Sequence, residues 1–161
     1  MLPAALLTEA EVLLAACRSK GVMLATVESC TGGLIAAALT AVAESSDVVE
    51  RGFVTYSNEA KHDLVGVPME LITTHGAVSE EVAAAMAAGG VARSRATIAV
   101  SVTGVAGPGG GTATKPVGLV CFGLACRGKP TLTTQAIFPG DRAAIRAAAV
   151  ARAFALIRDA L

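Results

Sequence analysis

The sequence predicts an α/β fold, a single three-layer domain over residues 1–161 with a mixed β-sheet between helices. Three observations predict it. Apolar runs of strand length alternate with alanine-rich helical stretches from the N-terminus to Thr103, the pattern of a parallel sheet covered by helices. Two further apolar runs are joined directly around Arg127-Gly128-Lys129-Pro130, which adds a hairpin to that sheet. Hydrophobic residues make up 53% of the chain but aromatics only 3%, so alanine and valine carry the core and helices pack closely.

Each element has its own signal. TEAEVLLAACRSK places Thr8 three residues before Glu11, ahead of apolar residues at helical spacing, and predicts a helix opened by a capping box. After Gly21, VMLATVE is a continuous apolar run and predicts a buried strand. Residues 32–42 form the next predicted helix. VVERGFVTYS alternates, with β-branched and aromatic residues, so a strand is expected to end near Tyr56. NEAKHDLVG predicts a short helix with Asn58 as cap and Gly66 as stop. VPMELITTHGAV reads as a connector. From Ser79, SEEVAAAMAAGGVARS predicts a helix whose first turn holds Glu80 and Glu81, where the dipole favours acids. ATIAVSVT predicts a second buried strand, GVAGPGGGTATKP a long glycine-rich loop, and VGLVCFGLA with TLTTQAIF the hairpin. DRAAIRAAAVARAFALIRDAL closes the chain as a helix, with Asp141 as cap and Arg142, Arg146, Arg152 and Arg158 as polar positions.

Composition narrows the function classes. The thirteen basic and thirteen acidic residues cancel and no basic run appears, so nucleic acid is not an expected partner. With only 16% charged residues, some surface is expected to be covered by another copy, which predicts a homo-oligomer. MLPAALLTEAE lacks a basic region and meets Glu9 and Glu11 too early for a signal peptide. The uncharged run over residues 30–43 falls short of a bilayer span. A cytoplasmic protein without membrane contact is expected. Two histidines and no C-x2-C pair argue against a zinc site, and the four cysteines read as buried thiols. Cys121 and Cys126, five apart on one strand, would point to opposite faces.

The chemistry gathers where strands end. Ligands of such sheets collect at the C-terminal ends of strands, and Ser29, Tyr56 and Thr103 each fall there. A serine that closes a strand and opens a helix presents its oxygen at the sheet edge, where following N–H groups can face an oxyanion. Gly32 and Gly33 allow a substrate close to the backbone. G-x-S-x-G is absent, however, and Ser29 or Thr31 could equally be an N-cap. Cys30 is a rival nucleophile, since a thiol at a helix N-terminus can ionise more readily. One of these adjacent side chains must point away from the cleft, and spacing leaves open which.

Lys61 sits in the first turn of its predicted helix, where the dipole disfavours a cation by about 0.3–1 kcal/mol. That field, with desolvation, would lower its pKa and suit it as a general base, and lysine is a known partner for serine. A solvated surface lysine is the plainer alternative. His62 and His75 offer a competing base, but a Ser-His-Asp triad would need assembly over long range. The loop TGVAGPGGGTATKPVG can curl around a phosphate, sugar or ring, and it matches neither the Walker pattern nor G-x-G-x-x-G. Arg142, at a helix start, suits a carboxylate or phosphate, or is simply exposed.

VESCTGGL, RGFVTYSNEAKHDLVGV, HGAVSEEVA, VTGVAGPGGGTATKPVG and FPGDRAAIR occur in this order. Together they resemble the CinA C-terminal domain family, whose characterised members are nicotinamide-nucleotide amidases. The resemblance runs from about Leu14 to the C-terminus. It is to the stand-alone amidase form, without the molybdopterin-binding-like domain that many CinA proteins carry in front. It implies hydrolysis of the carboxamide of nicotinamide mononucleotide to nicotinic acid mononucleotide and ammonia, with neither cofactor nor metal. Carried onto matching positions, Ser29 is the nucleophile, Lys61 its base, and Tyr56 an assistant through hydrogen bonding or proton relay. Arg142 contacts the active site, while Thr103 with Gly104, Gly107 and Gly109 lines the nucleotide pocket. Thr31, Gly32 and Gly33 line the substrate, with N–H groups near the two glycines holding the oxyanion. A nucleotide-binding module without turnover, acting in competence or damage response, is the alternative. It would tolerate loss of Ser29 or Lys61; a purely structural oligomer, the third reading, would show no stabilisation by a small molecule.

Overall fold

In the computed structural model, which describes residues 2–161, five strands form one sheet in the order β2-β1-β3-β4-β5. These are β1 (Leu24–Glu28), β2 (Val49–Val54), β3 (Ile98–Gly104), β4 (Leu119–Cys126) and β5 (Leu132–Ile137). β2, β1 and β3 run parallel, β4 pairs antiparallel with β3, and β5 pairs antiparallel with β4. The sheet is mixed and open, with helices on both faces, as the alternation of segments predicts.

Strand periodicity divides the core. On one face Leu24, Ile98, Val100, Val102, Val120, Phe122 and Leu124 pack against α1 (Ala4–Ser19), α2 (Leu34–Thr40) and α6 (Arg142–Asp159). The opposite face presents Ala25, Val27, Ala99 and Ala125 to α3 (Asn58–Val65), α4 (Met69–His75) and α5 (Glu80–Ala92). That second face is built of small side chains, so α5 lies very close to the sheet. The chain crosses from β1 to β2 over the first face and from β2 to β3 over the second.

Several local expectations shift. α1 starts at Ala4 after Pro3, not at a Thr8 capping box. Pro3 holds its φ at −57° and cannot continue a helix backwards, while the Thr8 hydroxyl donates to the Ala4 carbonyl inside the helix. Ser57, not Asn58, caps α3, because its extended backbone lets Oγ accept from the Ala60 N–H at 3.0 Å. Gly66 stops that helix at a φ of 71°. The connector after Pro68 contains α4, a short helix whose Thr and Ile content hides it in sequence and whose Ile72 anchors it in the core. Ser79 and Asp141 cap α5 and α6 through their side chains. No helix among the described residues is long and apolar enough to cross a membrane.

Gly89 and Gly90 sit inside α5, where glycine ordinarily costs about 1 kcal/mol against alanine. A Cβ on Gly89 would overlap the Val65 carbonyl, and one on Gly90 would lie 2.6 Å from Val27 Cγ2. The two glycines let α3 and β1 approach α5. Gly89→Ala is therefore expected to destabilise the protein by roughly 2–3 kcal/mol, against the propensity gain. The urea midpoint checks this, and an unchanged or raised midpoint would contradict the close packing.

Candidate active site

Register aligns the ends of the three parallel strands: Glu28 of β1 pairs with Val54 of β2 and Val102 of β3. The Ser29 N–H donates to the Val102 carbonyl at 2.9 Å, and the Thr55 N–H to the Glu28 carbonyl at 2.8 Å. Ser29 and Thr55 thus stand side by side just past the sheet.

From there, alternation sorts the side chains. Glu28 turns to the α2 face, where Oε1 accepts from the Ile35 N–H at 2.9 Å and Oε2 from the Ala36 N–H at 3.0 Å and the Thr26 hydroxyl at 3.1 Å. Its buried carboxylate satisfies the helix N-terminus that the chain must turn into. Ser29 turns to the α3 face. There Lys61 Nζ lies 3.0 Å from Ser29 Oγ, 2.8 Å from the Thr55 carbonyl and 3.3 Å from the Tyr56 carbonyl. Cys30 turns back into the core packed by α1 and α6. Burial pushes its thiol up to about 12, so it is not ionised near neutrality.

Lys61 is 1% exposed, and no carboxylate pairs with it among the described residues. Burial lowers its pKa from the usual 10.5. As an ammonium, Nζ donates to Ser29 Oγ and to both carbonyls. In its neutral form it would keep two hydrogens for the carbonyls and turn a lone pair to the Ser29 hydroxyl. The cause of the lowered pKa is desolvation by burial, one of the two effects expected at this position.

The histidines are committed elsewhere. His62 Nδ1 meets the Val67 carbonyl at 2.9 Å, and His75 Nδ1 lies 3.6 Å from Glu81.

The turn from Ser29 into α2 uses Gly32 and Gly33 in the left-handed region, at φ 57° and 99°. The Gly32 N–H donates to the Ser29 carbonyl at 3.0 Å, so the expectation that it faces an oxyanion is corrected: the turn itself uses that donor. Among the described residues the N–H groups of Cys30, Thr31 and Gly33 meet no other residue's carbonyl or side chain. The Thr31 hydroxyl is buried and likewise has no partner.

Arg142, the first residue of α6, donates from Nη1 to the Gly107 carbonyl at 2.8 Å and lies 3.4 Å from the Tyr56 phenol through Nη2. Tyr56 is 61% exposed; its carbonyl touches Lys61 and its ring stands at the cleft rim. Beside them a cleft of about 680 Å³ lies between the glycine-rich loop and α6, lined by Ala106, Pro108, Val117, Asp141, Arg142 and Arg146 among others. Gly107 supplies its carbonyl to this corner, and Gly109 borders open space. Thr103 is placed differently: its hydroxyl is buried and donates to the Ala77 carbonyl at 2.9 Å, tying β3 to the start of α5. Gly104 packs against β4, where a Cβ would lie 2.8 Å from the Leu119 carbonyl. Neither offers a side-chain group to the cleft.

Sequence reasoning assigned no site role to Glu28 or Arg146. Arg146 reaches the carbonyls of Cys30 and Thr31. Its one signal is its place four residues after Arg142, on the same helix face.

A protein-family model described as the CinA C-terminal domain matches residues 7–161. The chain is 52% identical to a nicotinamide-nucleotide amidohydrolase PncC of Enterobacter agglomerans, covering 82% of this chain and 80% of that one. It is 49% identical to the protein of the same name from Escherichia coli K12, covering 86% and 84%. A CinA-like protein of Mycolicibacterium gilvum is 54% identical over 88% of this chain but only 33% of its own length. The chain thus spans about a third of such longer relatives. Among solved structures, a competence/damage inducible protein of Agrobacterium tumefaciens superposes with a TM-score of 0.95 at 47% identity, covering 99% of this chain and 97% of that one.

Proposed function

Because this chain belongs to the CinA C-terminal domain family, we propose that it is an amidase that converts nicotinamide mononucleotide and water to nicotinic acid mononucleotide and ammonia. The observation that carries this reading is the buried amine of Lys61 at 3.0 Å from Ser29 Oγ. The relatives named as nicotinamide-nucleotide amidohydrolases, matched over most of both chains, supply the substrate.

Ser29 Oγ attacks the carboxamide carbon while its proton passes to Lys61 Nζ. The carbonyl pair moves onto oxygen, where the free N–H groups of the Cys30–Gly33 turn are placed to receive it; such a donor contributes roughly 2.7–4 kcal/mol in hydrolases. Lys61 then returns the proton to the leaving nitrogen, the C–N bond breaks and ammonia departs. Water, deprotonated by the same amine, cleaves the acyl-enzyme and restores Ser29. Arg142 and the Tyr56 phenol, at the cleft rim, hold the nucleotide.

Purified protein given nicotinamide mononucleotide should release ammonia and the deamidated nucleotide in equal amounts, and Ser29→Ala should release neither. Binding of the mononucleotide without turnover by the unaltered chain would instead mark a nucleotide-binding module.

The chain is also proposed to form a homo-oligomer. The support is compositional: only 16% of residues are charged and 53% are hydrophobic, which favours a surface covered by a second copy. Light scattering in solution should report a mass above 16.0 kDa; a monomer at micromolar concentration would exclude it.

A further inference from the structure

Arg146 lies one turn beyond Arg142 on α6. Its Nε donates to the Cys30 carbonyl at 3.1 Å and its Nη2 to the Thr31 carbonyl at 3.0 Å. Both carbonyls belong to the turn that carries the unengaged N–H groups.

A trans peptide is planar, with C=O and N–H pointing in opposite directions, and both peptides of this turn are trans. The Cys30 carbonyl shares its plane with the Thr31 N–H, so the bond from Arg146 turns that N–H away from the guanidinium. The Thr31 carbonyl shares its plane with the Gly32 N–H, which points the other way to the Ser29 carbonyl at 3.0 Å. The Arg146 guanidinium thus holds the Cys30–Thr31 plane through the Cys30 carbonyl. On the Thr31–Gly32 plane it adds to the Leu34 N–H at the Thr31 carbonyl and the Gly32 N–H at the Ser29 carbonyl. Among the described residues the Thr31 N–H is one of the three unengaged donors of the turn. Arg146 approaches from the face covered by α1 and α6, whereas Lys61 arrives from the face covered by α3 and α5. Opposed to a carbonyl that accepts from α6, the Thr31 N–H points away from that helix. A cation on the carbonyl oxygen also polarises the amide and makes its N–H a stronger donor.

We propose that Arg146 is a positioning residue of this amidase: through the Cys30–Thr31 peptide it orients and polarises the Thr31 N–H that receives the oxyanion formed when Ser29 attacks. The inference deepens the amidase reading and rests on it. Arg146 touches the backbone of the turn and not the reacting atoms.

The test compares Arg146→Met and Arg146→Lys with the unaltered protein on two substrates. One is nicotinamide mononucleotide. The other is p-nitrophenyl acetate, whose acylation of Ser29 is read as nitrophenolate released above a Ser29→Ala background. For Arg146→Met, kcat on the mononucleotide should fall about 10–100-fold with KM within about threefold, and ester acylation should slow by a similar factor. The acid limb of the pH profile should stay in place, and added guanidinium chloride should restore part of the rate. Arg146→Lys keeps the cation but loses the fork that spans two carbonyls, so its kcat should fall between the two. If Arg146→Met fails to give a cooperative melt, Arg146→Lys carries the comparison. A kcat within about twofold of the unaltered protein, a loss confined to KM, or a loss that guanidinium leaves untouched overturns the proposal. Inactivity of the unaltered protein on the mononucleotide, with Ser29 acylation intact, would overturn the substrate alone, and the ester would then decide on Arg146.

Discussion

Lys61→Met is expected to lower kcat for amide hydrolysis by roughly 10³-fold and to remove one source of the rise of stability with pH. Methionine approximates the side chain up to Cε and removes the base, and among the described residues no other titratable group hydrogen-bonds Ser29 Oγ to replace it. Only the neutral amine accepts a proton, so kcat/KM of the native protein should climb with pH and level off below 10.5, the usual lysine value from which burial lowers this group. That limb should vanish in the methionine variant. A pH profile that Lys61→Met leaves intact would remove the lysine from the mechanism.

Stability follows from the same burial. The folded-state pKa of Lys61 lies below its unfolded value, so between the two the unfolded chain binds more protons and native stability rises with pH. Below the lowered value, the native state carries the full cost of a buried ammonium. The melting temperature of Lys61→Met relative to the native protein should be most favourable at low pH and should decline as pH rises toward 10.5. A gap that stays constant from about pH 6 to about pH 10 would show that the amine titrates alike in both states.

Ser29→Ala is expected to reduce turnover by roughly 10⁴–10⁶-fold, as loss of the nucleophile does in serine hydrolases, while the protein stays folded. Among the described residues the Ser29 hydroxyl hydrogen-bonds only Lys61, and its backbone N–H, which holds the strand end to Val102, is unaffected by the change. Cys30→Ala is the contrasting substitution. Its thiol is buried in the α1–α6 face and held near 12, so its removal should leave kcat within about threefold and cost stability through a small cavity instead. The reverse pattern, an inactive alanine at 30 with an active one at 29, would exchange the two roles.

Much of the frame was legible from local signals. The apolar run before Ser29, the hairpin around Gly128, the helix start at Ser79 and the cap at Asp141 depend on side-chain periodicity and on hydrogen bonds a few residues long. α4 was hidden because its Thr-rich sequence is held as a helix by Ile72 in the core, not by propensity. Thr103 looked like a ligand contact because it ends a strand. In the folded chain its hydroxyl is on the α5 side and meets Ala77.

The sequence by itself determined the sheet between helical layers, the glycine turn after β1 and the pair of residue types suited to amide attack. Only the tertiary structure decided which neighbour is poised. β1 is hydrogen-bonded on both sides, so its register assigns Glu28, Ser29 and Cys30 to alternate faces. Whether a face holds α3 with its buried amine or α1 with its hydrocarbon depends on crossovers that no local spacing encodes. For the same reason Arg146 was invisible. A guanidinium reaches the turn after β1 only because α6 packs back across the sheet beside α2.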